Sequence, residues 1–202
     1  VRSMEATKFF AYGSLAQGNI HFSKFFQNAS VAKNVFARGS VYRLEVGFPV
    51  FHLEGHQMVP GDLITIEASD ILLSLLDEFH GYSRKTPEKS LYLRHEIDVF
   101  LDNGVTTRAF VYAINPIKMT RSCKLIENGN WVENLVQEPP CTVVLTERER
   151  EYIRKLGQSS GREIVPIQLD LYRGLMNRGM IVDKGRRLAL TKFGKEVFRF
   201  LD

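Results

Sequence analysis

Lys8-Phe9-Phe10-Ala11-Tyr12-Gly13-Ser14-Leu15-Ala16-Gln17-Gly18-Asn19 is the stretch on which the reading of this chain turns. It opens with a short aromatic and apolar run, the composition of a buried strand. It breaks at Gly13, where a residue without a Cβ lets the backbone bend sharply and approach a neighbour closely. Beyond the break, the amides of Gly13, Ser14 and Leu15 can point the same way, as an anion nest or the first turn of a helix. An isolated Tyr-Gly-Ser-Leu is more often an ordinary strand-ending turn. The sequence that follows gives the bend its meaning.

The chain of 202 residues suffices for one well-built core plus a small second unit. Hydrophobic content of 44% and charged content of 25% are those of an ordinary globular protein. No stretch approaches the roughly 18 apolar residues of a membrane span, and no charged-then-apolar leader opens the chain. Cys123 and Cys141 fit neither a metal cluster nor a disulfide framework, so the cytoplasm is the expected location. The net charge of +4 is uneven. From Thr146 onward there are 13 Lys/Arg against 8 Asp/Glu, and before it 14 against 15. The basic excess belongs to the tail, with Arg178, Lys184, Arg186, Arg187 and Lys192 close together. Such a run is a nucleic-acid footprint or, more commonly, a solvated face.

Outward from the bend, Phe22, Phe25 and Phe26 have helical spacing and the character of core. Val35–Leu44 is a strand, with Gly39 as a bulge or point of close approach. Pro49 limits Gly47–Phe51 to an edge or irregular segment, Pro60-Gly61 is a turn signal, and Asp62–Glu67 alternates as a strand. Ser69–Phe79 is the clearest helix of the front half: Ser69 or Asp70 caps it, and Ile71, Leu72, Leu75, Leu76 and Phe79 supply its apolar face. It stops at Gly81. Tyr92–Phe100 and Thr106–Ile114 form a hairpin across Asp102-Asn103-Gly104. The segment 117–140 holds the only Trp, at 131, and reads as a loop with one strand or short helix. The expected architecture is α+β: a small mixed, mostly antiparallel β-barrel flanked by helices over residues 1–140, with a mainly helical extension over 141–202.

The ordered set Tyr12-Gly13-Ser14-Leu15 with Gly18-Asn19, Arg38-Gly39-Ser40-Val41-Tyr42, Gly47-Phe48-Pro49, Val59-Pro60-Gly61-Asp62-Leu63, Leu76-Asp77-Glu78-Phe79-His80-Gly81-Tyr82, Tyr92-Leu93-Arg94 and Ala109-Phe110-Val111-Tyr112 resembles the gamma-glutamylcyclotransferase-like family. The resemblance spans roughly residues 8 to 115. It implies a barrel with a cavity at the Tyr-Gly-Ser-Leu loop. The implied reaction is cyclisation of a γ-glutamyl amine or peptide, releasing 5-oxoproline without cofactor or metal. Its implied ligand-binding residues are Tyr12, Gly13, Ser14, Leu15, Tyr82, Arg94 and Tyr112.

The reaction needs donors for a developing oxyanion, and a base that takes a proton from the attacking amine and returns it to the leaving nitrogen. The resemblance places a carboxylate just before the glycine that ends the helix, and here that position is His80. A neutral imidazole can carry a proton but offers a substrate ammonium no negative charge; losing such a charge-assisted contact costs on the order of 1.5–3 kcal/mol. Glu78 lies about 200° around the helix from His80 and is an unlikely replacement. The bland readings are a histidine favoured by the helix C-terminus at position 80, core aromatics at Tyr12 and Tyr112, and an Arg94 paired with Glu96 or Asp98. Ser14 has no base-and-orienter pair and is not read as a nucleophile. His52 and His56 are four apart but span Gly55, which argues against a metal-binding helix.

In the tail, Thr146 and Glu149 form a capping-box pattern for a helix carrying Tyr152, Ile153 and Leu156. Pro166 opens a second helix with Leu169, Tyr172, Leu175 and Met176 inward, and Arg162-Glu163-Ile164 is a weak helical signal before it. Met180–Val182 and Arg187–Leu190 flank Asp183-Lys184-Gly185 as a hairpin, and Thr191 caps a last helix. That order is loosely like a winged helix, which makes nucleic acid the lesser candidate partner beside a small γ-glutamyl-like ligand. The alternative to a cyclotransferase is therefore a non-catalytic small-acid-binding or regulatory protein whose basic extension contacts nucleic acid or another partner.

Overall fold

The computed structural model describes residues 6–67, 70–159 and 164–201. The chain divides into two compact units, residues 1–44 with 48–137, and residues 45–47 with 138–202.

The first unit contains β1 (Thr7–Ala11), a one-turn helix α1 (Phe22–Phe25), β2 (Ser30–Arg43), β3 (Pro49–Ile66), α2 (Asp70–Phe79), β4 (Tyr92–Leu101), β5 (Thr106–Ile114), β6 (Lys124–Leu125) and α3 (Trp131–Gln137). Antiparallel pairing joins β1 to β3, β3 to β2, β2 to β4 and β4 to β5. A parallel contact between Phe9 of β1 and Phe110 of β5 closes the ring. The result is a five-stranded mixed barrel, with β6 added to the end of β2. Closure removes the open edges that an antiparallel sheet would otherwise expose. The core is made of the residues the alternation supplies, among them Phe9, Val35, Ala37, Phe51, Ile64 and Val111.

Two departures from the sequence reading shape the barrel. Pro60-Gly61 is not a turn: β3 runs unbroken through both for 18 residues, with Pro60 opposite Phe36. Gly61 is there for proximity, since a Cβ would sit 2.6 Å from the Ala11 carbonyl oxygen and from the Phe10 ring. Pro49 opens the same long strand, a position where a missing N–H is tolerated. Gly39 is a point of close approach at a register shift, as its position suggests: Gly39 pairs with Gln57, but Ser40 pairs with His52. The residues between fold outward, and Gly55, with φ +141°, abuts Ser40. The β4–β5 hairpin turns where Asp102-Asn103-Gly104 predicts, with Gly104 at φ +80°.

Helix α2 turns a different face inward from the one expected. Leu76 is fully buried, whereas Ile71 and Leu75 are 73% and 49% exposed. Leu72, Leu76, Phe79 and His80 share the inward side, because residues three and four apart stack along a helix. Burying Leu76 contributes about 1.5–3 kcal/mol, and truncating it to Ala would cost about 2–5 kcal/mol. The cap expected from Ser69 lies outside the described residues. The C-terminal end is a Schellman motif: Gly81 has φ +60°, the Tyr82 amide donates to the Asp77 carbonyl at 2.8 Å, and the Gly81 amide donates to the Glu78 carbonyl at 3.0 Å. Both elements left open for 117–140 occur, β6 and α3, and Trp131 is buried against Phe48.

The second unit contains α4 (Glu147–Gln158), α5 (Leu169–Asn177), β7 (Ile181–Asp183), β8 (Leu188–Leu190) and α6 (Lys192–Arg199). The capping box at Thr146 and Glu149 is complete on both sides. α5 begins at Leu169, three residues later than Pro166 suggests, and Leu169 is exposed while Leu175 is buried. The weak helical signal at 162–164 falls mostly outside the described residues. β7 and β8 form the hairpin, and Thr191 caps α6 by accepting from the Gly194 amide at 3.0 Å. Gly194 is buried where a Cβ would lie 1.9 Å from the Met180 carbonyl oxygen. No helix among the described residues is long and apolar enough to cross a membrane.

Candidate functional site

β1 ends at Ala11 and delivers Tyr12-Gly13-Ser14-Leu15 as a turn rather than a continued strand. Gly13 has an ordinary backbone conformation, and its lack of a side chain answers to packing. A Cβ there would lie 2.4 Å from Cγ of Pro49. The bend is held by three contacts. The Asn19 side-chain amide donates to the Gly13 carbonyl at 3.0 Å, the His21 amide to the Ser14 carbonyl at 2.9 Å, and the Gln17 amide to Asp62 Oδ2 at 2.8 Å. Asp62 is itself buried and paired with Lys33 at 2.8 Å. The Gly13 carbonyl also accepts from the Ala16 amide. The amides of Gly13, Ser14 and Leu15 donate to no group among the described residues. The bend therefore carries three successive N–H groups available to an acceptor.

The remaining predicted residues come together around the end of α2. Tyr12 donates its hydroxyl to the Tyr112 carbonyl at 2.8 Å. His80 lies flat on the Tyr112 ring, centroids 3.7 Å apart and planes 1° from parallel. Its Nδ1 is 2.7 Å from the Leu76 carbonyl, which can only accept, so Nδ1 carries a proton. The edges of Phe79 and Tyr92 pack against the same imidazole, and the residue is 8% exposed. The His21 ring meets Phe79 at 4.8 Å, which ties the Ser14 end of the bend to this helix end.

The residue that sequence reasoning missed is Asp77. Its Oδ1 accepts from Arg94 at 2.9 Å and from the Tyr112 hydroxyl at 2.8 Å. The Arg94 and Asp77 side chains are 7% and 14% exposed. Arg94 thus pairs across to α2 and not with Glu96 or Asp98, both of which go to Arg108. Its guanidinium also lies over the rings of Tyr82 and Phe110, at 5.7 and 5.2 Å. The Tyr112 hydroxyl is not wet: burial pushes its pKa far up, and the hydrogen bond to Asp77 pushes it further, so it stays a neutral donor. Glu78 is exposed on the outward side of α2 and takes no part in the cluster. A signal for Asp77 was present in its position, three residues before His80 and so on nearly the same helix face. Among the described residues, no group of His, Cys, Asp or Glu is arranged to hold a metal ion.

Comparison with known proteins agrees with this architecture. The family described as gamma-glutamyl cyclotransferase, AIG2-like, matches residues 9–133. The chain belongs to that family. Among curated proteins there is no match. Similar solved structures include YkqA from Bacillus subtilis (16% identity, TM-score 0.49), for which the alignment covers 77% of this chain and 54% of YkqA. An AIG2-like protein from Mus musculus is 18% identical with a TM-score of 0.43, over 58% of this chain and 81% of that one. A protein from Arabidopsis thaliana is 19% identical with a TM-score of 0.47, over 83% of this chain and 95% of that one. The chain thus spans about half the length of YkqA.

Proposed function

We propose that the barrel unit binds the γ-glutamyl portion of a small amine or peptide at the Tyr12–Leu15 bend, and that it cyclises this ligand slowly or holds it without turnover. In the cyclisation, the ligand's α-amine attacks its own γ-carbonyl carbon. A new C–N bond forms, the bond to the leaving amine breaks, and the proton lost by the attacking nitrogen ends on the leaving nitrogen, giving 5-oxoproline. The free amides of Gly13, Ser14 and Leu15 suit the oxygen that gains charge on the way.

The observation that carries the reading is the fixed imidazole of His80, hydrogen-bonded to Leu76 and stacked on Tyr112. On our reading of the sequence resemblance, position 80 is the one that a carboxylate would occupy in the family. Nε2 can accept a proton, but a neutral ring gives a substrate ammonium no counter-charge. Asp77 is a poor substitute, since its Oδ1 is shared between Arg94 and Tyr112. A missing or misplaced base lowers rates by about 10²–10⁴.

The test measures 5-oxoproline release from γ-glutamyl amines and γ-glutamyl amino acids by the wild type, His80→Glu and His80→Ala, alongside ligand binding by calorimetry. A rise of about 10²-fold in kcat/KM for His80→Glu over the wild type is expected. His80→Ala should keep the ligand affinity and lose any turnover. A wild type turning over at about 10 s⁻¹ or more, and slowed by His80→Glu, would overturn the reading. So would the absence of γ-glutamyl binding in all three proteins.

A further inference from the structure

The second unit holds a cleft of about 780 Å³ between the end of α4, the segment 164–167, the β7–β8 hairpin and α6. We propose that it is a binding site for a small amphiphilic anion, a molecule with an apolar body and a phosphate-type head. Its volume falls in the range of about 300–1,000 Å³ that holds such ligands.

The floor is apolar, supplied by Leu156, Val165, Ile167, Leu188, Leu190 and Phe198. It is also fixed in shape. Gly157 lets α4 sit directly on the Phe198 ring of α6, where a Cβ would come within 2.5 Å of the ring carbons. The rim is cationic, made by Lys184, Arg186 and Arg187 of the hairpin turn and Lys195 of α6, and no Asp or Glu lines the cleft among the described residues. The turn is set by the Lys184 amide donating to the Arg187 carbonyl at 2.9 Å, and by Gly185 at φ +84°. The carboxylate of Asp183, at the base of that turn, accepts from the Gly185 amide at 2.7 Å.

Pairing separates Lys184, Arg186 and Lys195 from Arg148, Arg154, Lys155 and Arg178. Elsewhere in the unit Arg148, Arg154, Lys155 and Arg178 each meet a carboxylate: Asp170, Glu147, Glu151 and Glu149. Lys184, Arg186 and Lys195 form no ion pair among the described residues. Unpaired positive charge above an apolar hollow is complementary to a ligand that is anionic at one end and greasy at the other. Several cations converging on one rim suit a head of more than one negative charge.

Nucleic acid fits less well. Single strands are held on exposed aromatic platforms, and the one aromatic of the lining among the described residues, Phe198, lies against Gly157. Duplex readout needs an element that protrudes into a groove, and here the cations surround a hollow.

The probe is 1-anilinonaphthalene-8-sulfonate, an aromatic body with an anionic head, titrated by fluorescence into the full chain. Octyl phosphate, octanol, inorganic phosphate and a 20-base-pair DNA duplex serve as competitors. Octyl phosphate should displace the probe at concentrations about tenfold or more below those needed for octanol or inorganic phosphate, a difference of about 1.4 kcal/mol or more. The double variant Lys184→Glu/Arg186→Glu should weaken both probe and octyl phosphate about tenfold, and Lys195→Glu, on a separate element, should weaken them in the same direction. Thermal unfolding of each variant confirms that it is folded.

Retention of both affinities in the charge-reversed variants would overturn the proposal, as would the absence of a probe signal. Inorganic phosphate competing as well as octyl phosphate would reduce the cleft to a plain anion site. Tighter binding of the duplex, lost in the same variants, would make the surface a nucleic-acid contact instead.

Discussion

Asp77→Ala is the sharpest probe of how the candidate site is held. The substitution removes the one carboxylate paired with Arg94 among the described residues, Arg94 being 7% exposed in its side chain, and strips the Tyr112 hydroxyl of its acceptor. Breaking a buried pair by deleting one partner costs about 3–5 kcal/mol, because the remaining charge is left uncompensated. Two features place this site at the lower end. Asp77 keeps some contact with solvent, and Arg94 retains the faces of Tyr82 and Phe110, a cation–π environment worth about 0.5–2 kcal/mol. Arg84, 4.0 Å from Asp77 and 64% exposed, adds little. A loss of about 3 kcal/mol is therefore expected.

Tyr112→Phe, which costs one hydrogen bond to a charged group, should lose about 1.5 kcal/mol. Replacing both charged partners, Asp77→Leu with Arg94→Met, should cost less than the sum of the singles, with a coupling of about 1–3 kcal/mol. The assay is denaturation in urea followed by Trp131 fluorescence. That residue is the only Trp of the chain and lies buried in the barrel unit. An Asp77→Ala loss below about 1 kcal/mol, or strict additivity in the double variant, would show that the pair is not what holds the α2 end to β4 and β5.

Two further outcomes test other parts of the molecule. Gly13→Ala drives a methyl group to 2.4 Å from the Pro49 ring; it should cost about 1–3 kcal/mol in the same assay and weaken γ-glutamyl binding, whereas unchanged stability would mean the bend yields freely. Glu196 has its pKa raised, chiefly by burial and also by the charge of Glu45. The folded chain therefore holds that proton more tightly than the unfolded chain, and stability falls as pH rises above the unfolded value of about 4.5. Glu196→Gln should increase amide-exchange protection of α6 at pH 7 and flatten its decline with pH; an unaltered profile would refute the assignment.

The barrel was legible because alternation, the Asp102-Asn103-Gly104 turn and the glycine break at 13 each carry a local physical signal. The misreadings arose where local and tertiary signals conflict. Pro60-Gly61 has the composition of a turn, yet barrel curvature draws it into β3, and only the nearness of Phe10 and Ala11 explains the glycine. In α2 the apolar residues exceed what the barrel can cover, so composition could not say that Ile71 and Leu75 face outward. Of the cluster at the end of α2, Tyr12, His80, Arg94 and Tyr112 were named from the sequence, and the fold brings them together. Asp77, the partner of Arg94 and Tyr112, was not, because an acid on a helix next to Glu78 looks like ordinary surface charge until β4 and β5 are in place.

The parallel contact of Phe9 with Phe110 has a consequence for how the protein is made. The strand that delivers the Tyr12–Leu15 bend leaves the ribosome before the strand that closes the ring against it, which follows about a hundred residues later. Non-local pairings of this kind bear a loop-closure cost before they return any stability, and they fold slowly. A nascent chain stopped before Thr106 thus has its first strand without its parallel neighbour, and Tyr12 without the carbonyl that receives its hydroxyl. The Tyr12–Leu15 bend gains its final surroundings only with closure of the barrel.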